Sequence, residues 1–409
     1  MSKQKIQLSD HFDYSRLLRF VLPCIGTMLF TSIYGIVDGL CVSNFVGKTA
    51  FAAVNLIMPL PMLLGTIGFM LGTGGSAIVG ITLGEGDQKK ADRYFTLFLL
   101  AALVSVSVLA VLGIVFLRPI AVLLGAKGEL LDYAVRYGRI LMVSLPTFAL
   151  QNMFQSFFVT AEKPHLGFWF TVGAGCTNMV LDVLMVGVWG WGVEGAAIAT
   201  FISQLVGGVL PVFYFIDRSN SSRLHLCRTS FYSKVLRDAC INGSSELMTN
   251  LSMSLVNILY NYQLLRLAGE NGVAAYGVIM YAAFLFVAVF VGYAVGSAPI
   301  VSFHYGARNH AEVHNLYRKS LRLIAVVAVT LTLASMFIIP CVARIFVGYD
   351  AELLALTSRA FRLYALSFLI MGFNVYASSF FTALGDGVTS ALISFLRTLA
   401  FQVIAILLL

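Results

Sequence analysis

Charged residues are scarce in this chain: Asp, Glu, Lys and Arg make up 11% of its 409 residues, whereas hydrophobic residues make up 59%. A soluble domain carries about a quarter charged residues, so a chain this apolar could not cover its own surface with polar groups. Lipid must therefore be the solvent for much of it. The net charge of +8 does not indicate nucleic acid as a partner, because the basic residues lie in short clusters between long apolar runs.

The sequence also lacks the signatures of several kinds of site chemistry. Its six cysteines stand singly with no C-x-x-C pair, and they are best interpreted as small apolar fillers of helix surfaces. No P-loop and no nucleophile elbow occurs, which argues against ATP-driven transport and against a hydrolase. We therefore expect no enzyme activity, no cofactor and no resident metal.

Two short segments resemble enzyme motifs only in part. Residues 84–87 have the G-x-G-D pattern of intramembrane aspartyl proteases, but Gln88-Lys89-Lys90 follows, which indicates a turn before a helix. Residues 310–314 place two histidines at metal-binding spacing, but Glu312 is not where the H-E-x-x-H motif needs it. A solvated helix start is the better interpretation of that segment.

Eleven apolar runs are long enough to cross a bilayer core, which needs about 20 helical residues. A cytoplasmic N-terminus is favoured, because the loops on that side then carry nearly twice as many Lys and Arg as the loops on the other. We therefore expect a multi-pass protein of the cytoplasmic (inner) membrane. The predicted helices lie near 17–46, 50–83, 94–117, 131–160, 166–188, 192–216, 238–268, 271–304, 321–347, 353–384 and 388–409.

An internal repeat organises these helices. Ala52-Ala53 recurs as Ala274-Ala275, a shift of 222, and Glu129-Leu130-Leu131 recurs as Glu352-Leu353-Leu354, a shift of 223. A nearly constant shift across several helices and their polar loops indicates duplication. Six helices, an even number, separate equivalent positions, so the halves share one orientation and are related by an axis along the membrane normal.

The fold class that we predict is an all-α polytopic membrane protein with two parallel-repeat six-helix lobes. The N-terminal lobe is 1–216 (helices 1–6), a cytoplasmic linker is 217–237, and the C-terminal lobe is 238–409 (helices 7–11). Helix 6 has no repeat mate, because its equivalent would begin beyond Leu409. We therefore expect the second lobe to lack its last helix.

Two acidic residues lie where lipid makes charge expensive. An acid at the centre of a membrane helix costs about 2.5–3.5 kcal/mol on insertion scales, so it is a functional candidate by default. Asp38 lies deep in helix 1 with Tyr34 one turn earlier, and Asp182 lies in helix 5 with Asn178 one turn earlier. No Lys or Arg lies at matching depth in these helices, which indicates a site whose counter-ion comes and goes.

Other polar residues fall on the same lobe. Helix 6 offers Thr200 and Gln204, and helix 4 offers Asn152 and Gln155, each pair on one helix face. Taken alone, Thr200 and Gln204 are explained as well by hydrogen bonds that hold helices together.

The repeat makes the predicted ion chemistry asymmetric. Asp38 maps to Tyr260 and Asp182 to Ala405, so the second half lacks both acids. In the second half, Glu246 opens helix 7 and is either a partner of the helix dipole or a cation acceptor at the mouth of a cleft. Asn257, further along that helix, is a candidate for the cleft lining.

At these residues the chain resembles the multidrug and toxic compound extrusion (MATE) transporters, in their bacterial branch. The resemblance rests on several fragments in order: Ile36-Val37-Asp38-Gly39, Ala52-Ala53-Val54-Asn55, Gly72-Thr73-Gly74-Gly75-Ser76, Asn178-Met179-Val180-Leu181-Asp182 and the run from Gly192 to Thr200. Together with the six-helix duplication, it extends from Pro23 to the end of the chain.

The resemblance implies twelve helices in two bundles around a V-shaped cleft. It implies export of amphipathic, often cationic drugs by alternating access, in exchange for protons or sodium, by a chain that we expect to act as a monomer in the bilayer. It places the N-lobe cation site, with transient sodium possible at the two acids, at Asp38, Asn178, Asp182 and Thr200. Near that site it places Tyr34, Asn152 and Gln155.

Two alternatives stay open at this point. A flippase for lipid-linked oligosaccharides or peptidoglycan precursors shares the two-lobe architecture, but it should line its cleft with Arg and Lys for pyrophosphate. Arg397 is the single candidate cation of that kind in these helices. An integral-membrane enzyme would need a catalytic cluster near one interface, and the sequence offers none.

Overall fold

The computed structural model describes residues 6–46, 48–348 and 350–408, and in these ranges the chain forms helices and no strands. Two π-helical turns interrupt the α-helices, Val183–Val188 after α6 and Leu396–Ala400 between α14 and α15. The α-helices are α1 (Tyr14–Phe45), α2 (Lys48–Ile57), α3 (Pro59–Gly84), α4 (Gln88–Leu123), α5 (Gly128–Thr160), α6 (Pro164–Asp182), α7 (Gly192–Gly208), α8 (Leu210–Ile216), α9 (Ser233–Asn242), α10 (Ser244–Gly306), α11 (His310–Val347), α12 (Ala351–Ala365), α13 (Phe368–Ala383), α14 (Gly387–Phe395) and α15 (Phe401–Leu408).

The membrane spans agree with the predicted all-helical, multi-pass fold. Among the described residues, eight helical stretches are long and apolar enough to cross a membrane, and the pair α12–α13, bent by 48°, makes a ninth. Of the eleven predicted spans, α5 and the start of α10 are not among these nine. The first turns of α5 carry Glu129, Asp132, Arg136 and Arg139. Its later turns are largely buried against α3, α4 and α7, so they need no lipid-facing apolar surface.

The predicted helices at 238–268 and 271–304 are joined in the structure. They form the two arms of α10, which reverses at Gly269, where φ is 62° and ψ is −155°. This backbone conformation is open to glycine and strained for other residues, so a single residue suffices for the turn. Ahead of α10, the short α9 ends at Asn242, inside the predicted range of helix 7.

The helices form two lobes, α1–α8 (the N-lobe) and α10–α15 (the C-lobe), which meet where α1 and α3 pack against α10. The contact has the two-fold pseudosymmetry that the repeat predicts. A Cβ on Gly84 would overlap the carbonyl oxygen of Phe303, and a Cβ on Gly306 would overlap the carbonyl oxygen of Ile81. Gly84 and Gly306 are repeat mates at a shift of 222, as are Ile81 and Phe303. The axis relating the lobes therefore passes between α3 and α10.

This seam lies at one side of the membrane. We call the side from which α1 starts the N-terminal face, and the other side the opposite face. Gly84, Gly306 and Gly243, whose Cβ would overlap Met70, all lie in the helix halves nearest the N-terminal face. Towards the opposite face, a Cβ at Gly35 or Gly277 would meet no atom within 4 Å. The lobes thus close together at the N-terminal face, whereas neither of these two glycines is packed against the other lobe.

Candidate functional site

The two membrane acids come together inside the N-lobe. Asp182 ends α6 just before a π-helical turn, a distortion that is common at functional sites, and it is 0% exposed. Asp38 is half-buried on α1, which packs against α6 and the π-helical turn. Their carboxyl groups lie close enough for each to interact with the other. The sequence predicted both acids as site residues, and the packing of α1 on α6 brings their carboxyl groups together.

Several buried polar atoms of this lobe have no hydrogen-bond partner among the described residues. They include both carboxyl oxygens of Asp182, the amide nitrogens Nδ2 of Asn178 and Asn152, and the amide oxygen Oε1 of Gln204. Buried polar groups are nearly always paired in folded proteins, so a concentration of unpaired ones needs an explanation. Water can satisfy such atoms, and so can a ligand or ion that binds and dissociates.

Tyr34, Thr200 and Gln155, which the sequence also predicted, differ in where they lie relative to the two acids. Tyr34 lies beside Asp38 and interacts with it. Thr200, on α7, donates its hydroxyl to the carbonyl of Ala196 at 3.0 Å, which leaves the oxygen lone pairs available. Gln155 borders a narrow space with Cys24 and Thr27. It is therefore set apart from the two acids, towards the N-terminal face.

The predicted C-lobe residues lie away from this site. Glu246, half-buried at the start of α10, interacts electrostatically with Arg397 on the π-helical turn between α14 and α15. Asn257 is exposed, and its Oδ1 accepts a hydrogen bond from Asn261 at 3.4 Å. The acidic chemistry described for the N-lobe is thus separate from the Glu246–Arg397 pair.

Two residues that the sequence interpretation missed lie close to the acids. Tyr137 of α5 is 2% exposed and interacts with both Asp38 and Asp182. Cys41, one turn after Asp38 on α1, also interacts with both acids. The repeat held a signal for Tyr137, because its mate at a shift of 223 is Ala360, and so this polar group too is confined to the first half.

Within the ranges that the structure describes, no group of three or more His, Cys, Asp and Glu side chains is placed to hold a metal ion. Two carboxyl groups with nearby amide and hydroxyl oxygens are ligands suited to a proton or to a weakly held hard cation.

The sequence and the fold both match known transporters. The MatE family model matches the chain twice, over residues 23–184 and 247–407. The chain is 21% identical to the multidrug export protein MepA of Staphylococcus saprophyticus over 389 residues, which is 94% of this chain and 84% of that protein. It is 20% identical to MepA of Staphylococcus haemolyticus over 385 residues, with the same two coverages of 94% and 84%.

Solved structures share the fold. The chain matches a MATE protein in complex with MaL6 at a TM-score of 0.92 and 23% identity, covering 98% of this chain and 90% of that one. An outward-facing multidrug resistance MATE transporter of the MOP superfamily gives the same TM-score, identity and coverages. The two family matches cover well over half of the chain. The chain therefore belongs to the MATE family of efflux transporters, and not to a class of membrane enzymes.

Proposed function

We propose that this chain is a secondary active transporter that exports amphipathic, often cationic, drugs or toxins in exchange for protons or sodium. The observation that carries the proposal is the pair of Asp38 and Asp182 carboxyl groups, which interact with each other and form no ion pair with a Lys or Arg among the described residues. Similarity to MepA, a multidrug export protein, supports the same class of cargo.

The physical basis of the exchange is the cost of buried charge. Two carboxylates in an apolar lobe are destabilised unless a proton or cation neutralises them. A cationic solute that approaches the N-lobe competes with the coupling ion for the same negative charge. Coupling then arises because ion and solute bind the two conformations of the lobes with different affinities.

In this mechanism each predicted residue has a role. The carboxylates of Asp38 and Asp182 hold the coupling ion, and Asn178 and Thr200 supply neutral oxygen ligands to it. The residues that contact the solute or support the ion site are Tyr34, Asn152, Gln155, Gln204, Glu246 and Asn257.

The experiment that tests this function is efflux of a cationic dye from vesicles under separate proton and sodium gradients. We expect one of the two gradients, imposed alone, to accelerate dye movement against its concentration gradient. The dissipation of that gradient with an ionophore is expected to stop it. Dye movement that responds to neither gradient, or that requires ATP, would contradict the proposal.

We also propose a topology. The lobes comprise residues 1–216 and 238–409, the linker 217–237 joins them in the cytoplasm, and the monomer lies in the inner membrane of a bacterium with its N-terminus inside. The excess of Lys and Arg in the loops of the N-terminal face supports this orientation.

Single cysteines introduced in a cysteine-free version test the orientation. Glu85→Cys lies in the turn between α3 and α4 at the N-terminal face, and Lys127→Cys lies in the turn between α4 and α5 at the opposite face. In intact cells, a membrane-impermeant maleimide is expected to label Lys127→Cys and spare Glu85→Cys. The reverse pattern would show that the N-terminus is outside.

A further inference from the structure

Residues 6–13 cross the N-terminal face as a non-helical segment ahead of α1. We call them the N-terminal strap. Leu8 and Phe12 in the strap are 0% exposed and belong to the main hydrophobic core. Terminal segments are usually poorly ordered, so two fully buried side chains show that the rest of the fold holds the strap in place.

One anchor of the strap is in the N-lobe. Glu162, in the turn between α5 and α6, accepts a hydrogen bond from the Leu8 backbone N–H at 2.9 Å. The same carboxylate oxygen, Oε1, pairs with Arg223 of the linker at 2.6 Å, and the Glu162 side chain is 8% exposed. The Arg223 guanidinium in turn lies 4.9 Å from the centre of the Phe303 ring in the C-lobe.

The other anchor is in the C-lobe. Glu312, near the start of α11, accepts a hydrogen bond from the Phe12 backbone N–H at 2.9 Å, and its second oxygen lies 2.7 Å from Nδ1 of His11. The Phe12 carbonyl accepts from Lys319 Nζ of the same helix at 2.7 Å. The Phe12 ring meets buried His304 of α10 edge-on, with 6.4 Å between ring centres.

Glu162 shares the backbone conformation of its repeat mate but differs from it in residue type. Glu162 has a φ of 60°, a left-handed conformation that is costly for a residue with a side chain, and its mate at a shift of 223 is Gly385, with a φ of 81°. The turn between α10 and α11 shows the same contrast, with Arg308 at 55° and its mate Gly86 at 87°. At Glu162 the carboxylate that binds the Leu8 N–H explains why a strained residue stands where glycine would be cheaper, whereas the Arg308 side chain is exposed and makes no hydrogen bond with the described residues of the strap.

Glu312 is likewise not part of the shared scaffold. Its repeat mate at a shift of 222 is Lys90, and both backbone N–H groups are capped in the same way, by Asn309 and Asp87 respectively. The helix cap is therefore common to both lobes, whereas the carboxylate that binds the strap is present in one.

We propose that the N-terminal strap is a clamp that holds the two lobes closed at the N-terminal face and must release before the transporter opens there. Leu8 and Phe12 are four residues apart and reach no more than about 14 Å when extended, so both anchors can be kept only while they lie within about that distance of each other. Glu162 and Glu312 act as positioning residues. This inference rests on the alternating access of the proposed function.

The seam provides a natural reporter. Cys24 is 5% exposed and lies beside Gly296 of α10, so separation of the lobes at the N-terminal face exposes its thiol to water. In full-length protein with the other five cysteines replaced, the rate of Cys24 labelling by N-ethylmaleimide measures that opening. The cationic dye is expected to change the labelling rate in the parent protein.

Two variants release the clamp in different ways. Glu162→Gly removes the anchor and suits a φ of 60°, so folding is expected to be retained. Insertion of Gly-Ser-Gly between Ser9 and Asp10 keeps both anchors but lengthens the strap. We expect Glu162→Gly to raise the rate of Cys24 labelling about ten-fold, the effect of losing a charge-assisted hydrogen bond. We expect the insertion to raise it as well, because the longer strap allows the anchors to move further apart while both stay bound. Arg308→Gly is the matched control, because it relieves the same backbone strain at an exposed residue outside the clamp.

The outcomes separate the clamp from the proposed function. Faster labelling in both variants and unchanged labelling in Arg308→Gly is the result that we expect. If both variants label like the parent while the dye still changes the parent's rate, the clamp is wrong and alternating access stands. If the dye leaves the parent's labelling unchanged, alternating access at this seam is itself contradicted.

Discussion

Replacing Asp182 with asparagine is expected to reduce gradient-driven dye efflux by about a hundred-fold, near the upper end of typical coupling free energies. Asparagine preserves the size and shape of the side chain, but it can neither exchange a proton nor neutralise a cation. Asp182 is fully buried, and the carboxyl group that interacts with it is that of Asp38. Asp38 cannot take over the role of Asp182 and also keep its own. Initial efflux rates at matched expression are the measurement.

The control for this prediction is Asp132→Asn. Asp132 is also an acid of the N-lobe, but it is exposed near the start of α5. Its replacement is expected to leave efflux unchanged, which excludes a general effect of removing negative charge. Asp38→Asn should resemble Asp182→Asn, because the two groups form one site. Efflux at the parent rate in either asparagine variant, under the same gradient, would rule out the pair as the coupling site.

The second large effect is expected at the seam, in Gly84→Ala and its repeat mate Gly306→Ala. Each added Cβ would overlap a backbone carbonyl oxygen of the other lobe, and backbone atoms in packed helices yield little. Overpacking of this kind costs about 1–3 kcal/mol. The ratio of the closed to the open population is therefore expected to fall by about 5–150-fold, which is the same free energy expressed as an equilibrium constant. We expect efflux to fall and Cys24 labelling to rise.

Gly277→Ala on the same helix as Gly306 is the matched substitution. A Cβ at Gly277 meets no atom within 4 Å, so this change is expected to leave transport and Cys24 labelling near the parent values. If Gly84→Ala and Gly306→Ala are also indistinguishable from the parent, the lobes do not close as tightly as the structure indicates.

The architecture could be predicted from the sequence because its physical signals are long and repeated. Apolar runs identify helices in a membrane, and the shift of 222 between Gly84 and Gly306 survives in the structure as a symmetric helix crossing. The reversal of α10 at Gly269 was predicted only as a gap between two helices, because one left-handed glycine leaves no pattern in its neighbours.

The sequence predicted the charged residues of the candidate site, but it could not predict which of them lie close together. The cost of an acid in lipid singles out Asp38 and Asp182 one at a time, whereas their proximity depends on how α1 packs on α6. Tyr137 was missed because an aromatic hydroxyl in an apolar helix carries little penalty. Its absence from the second repeat was the available signal.

The contacts of the strap are the part of the structure that sequence patterns predict least. Its two anchors are 154 and 300 residues from the backbone groups that they bind, and no local periodicity reports such distances. Glu312 was interpreted as part of a solvated helix start, yet its side chain is 8% exposed and faces His11. The role of a polar residue near a terminus becomes apparent only when the folded structure shows which residues it contacts.

Coupling ion and solute are proposed to compete for the carboxyl groups of Asp38 and Asp182. The most direct test of this competition is addition of a cationic dye to the purified, weakly buffered protein, with simultaneous measurement of proton release and of displaced radioactive sodium. We expect dye binding to release one of the two ions from the parent protein and neither from Asp182→Asn. Dye binding to the parent without release of protons or sodium would contradict the proposed competition.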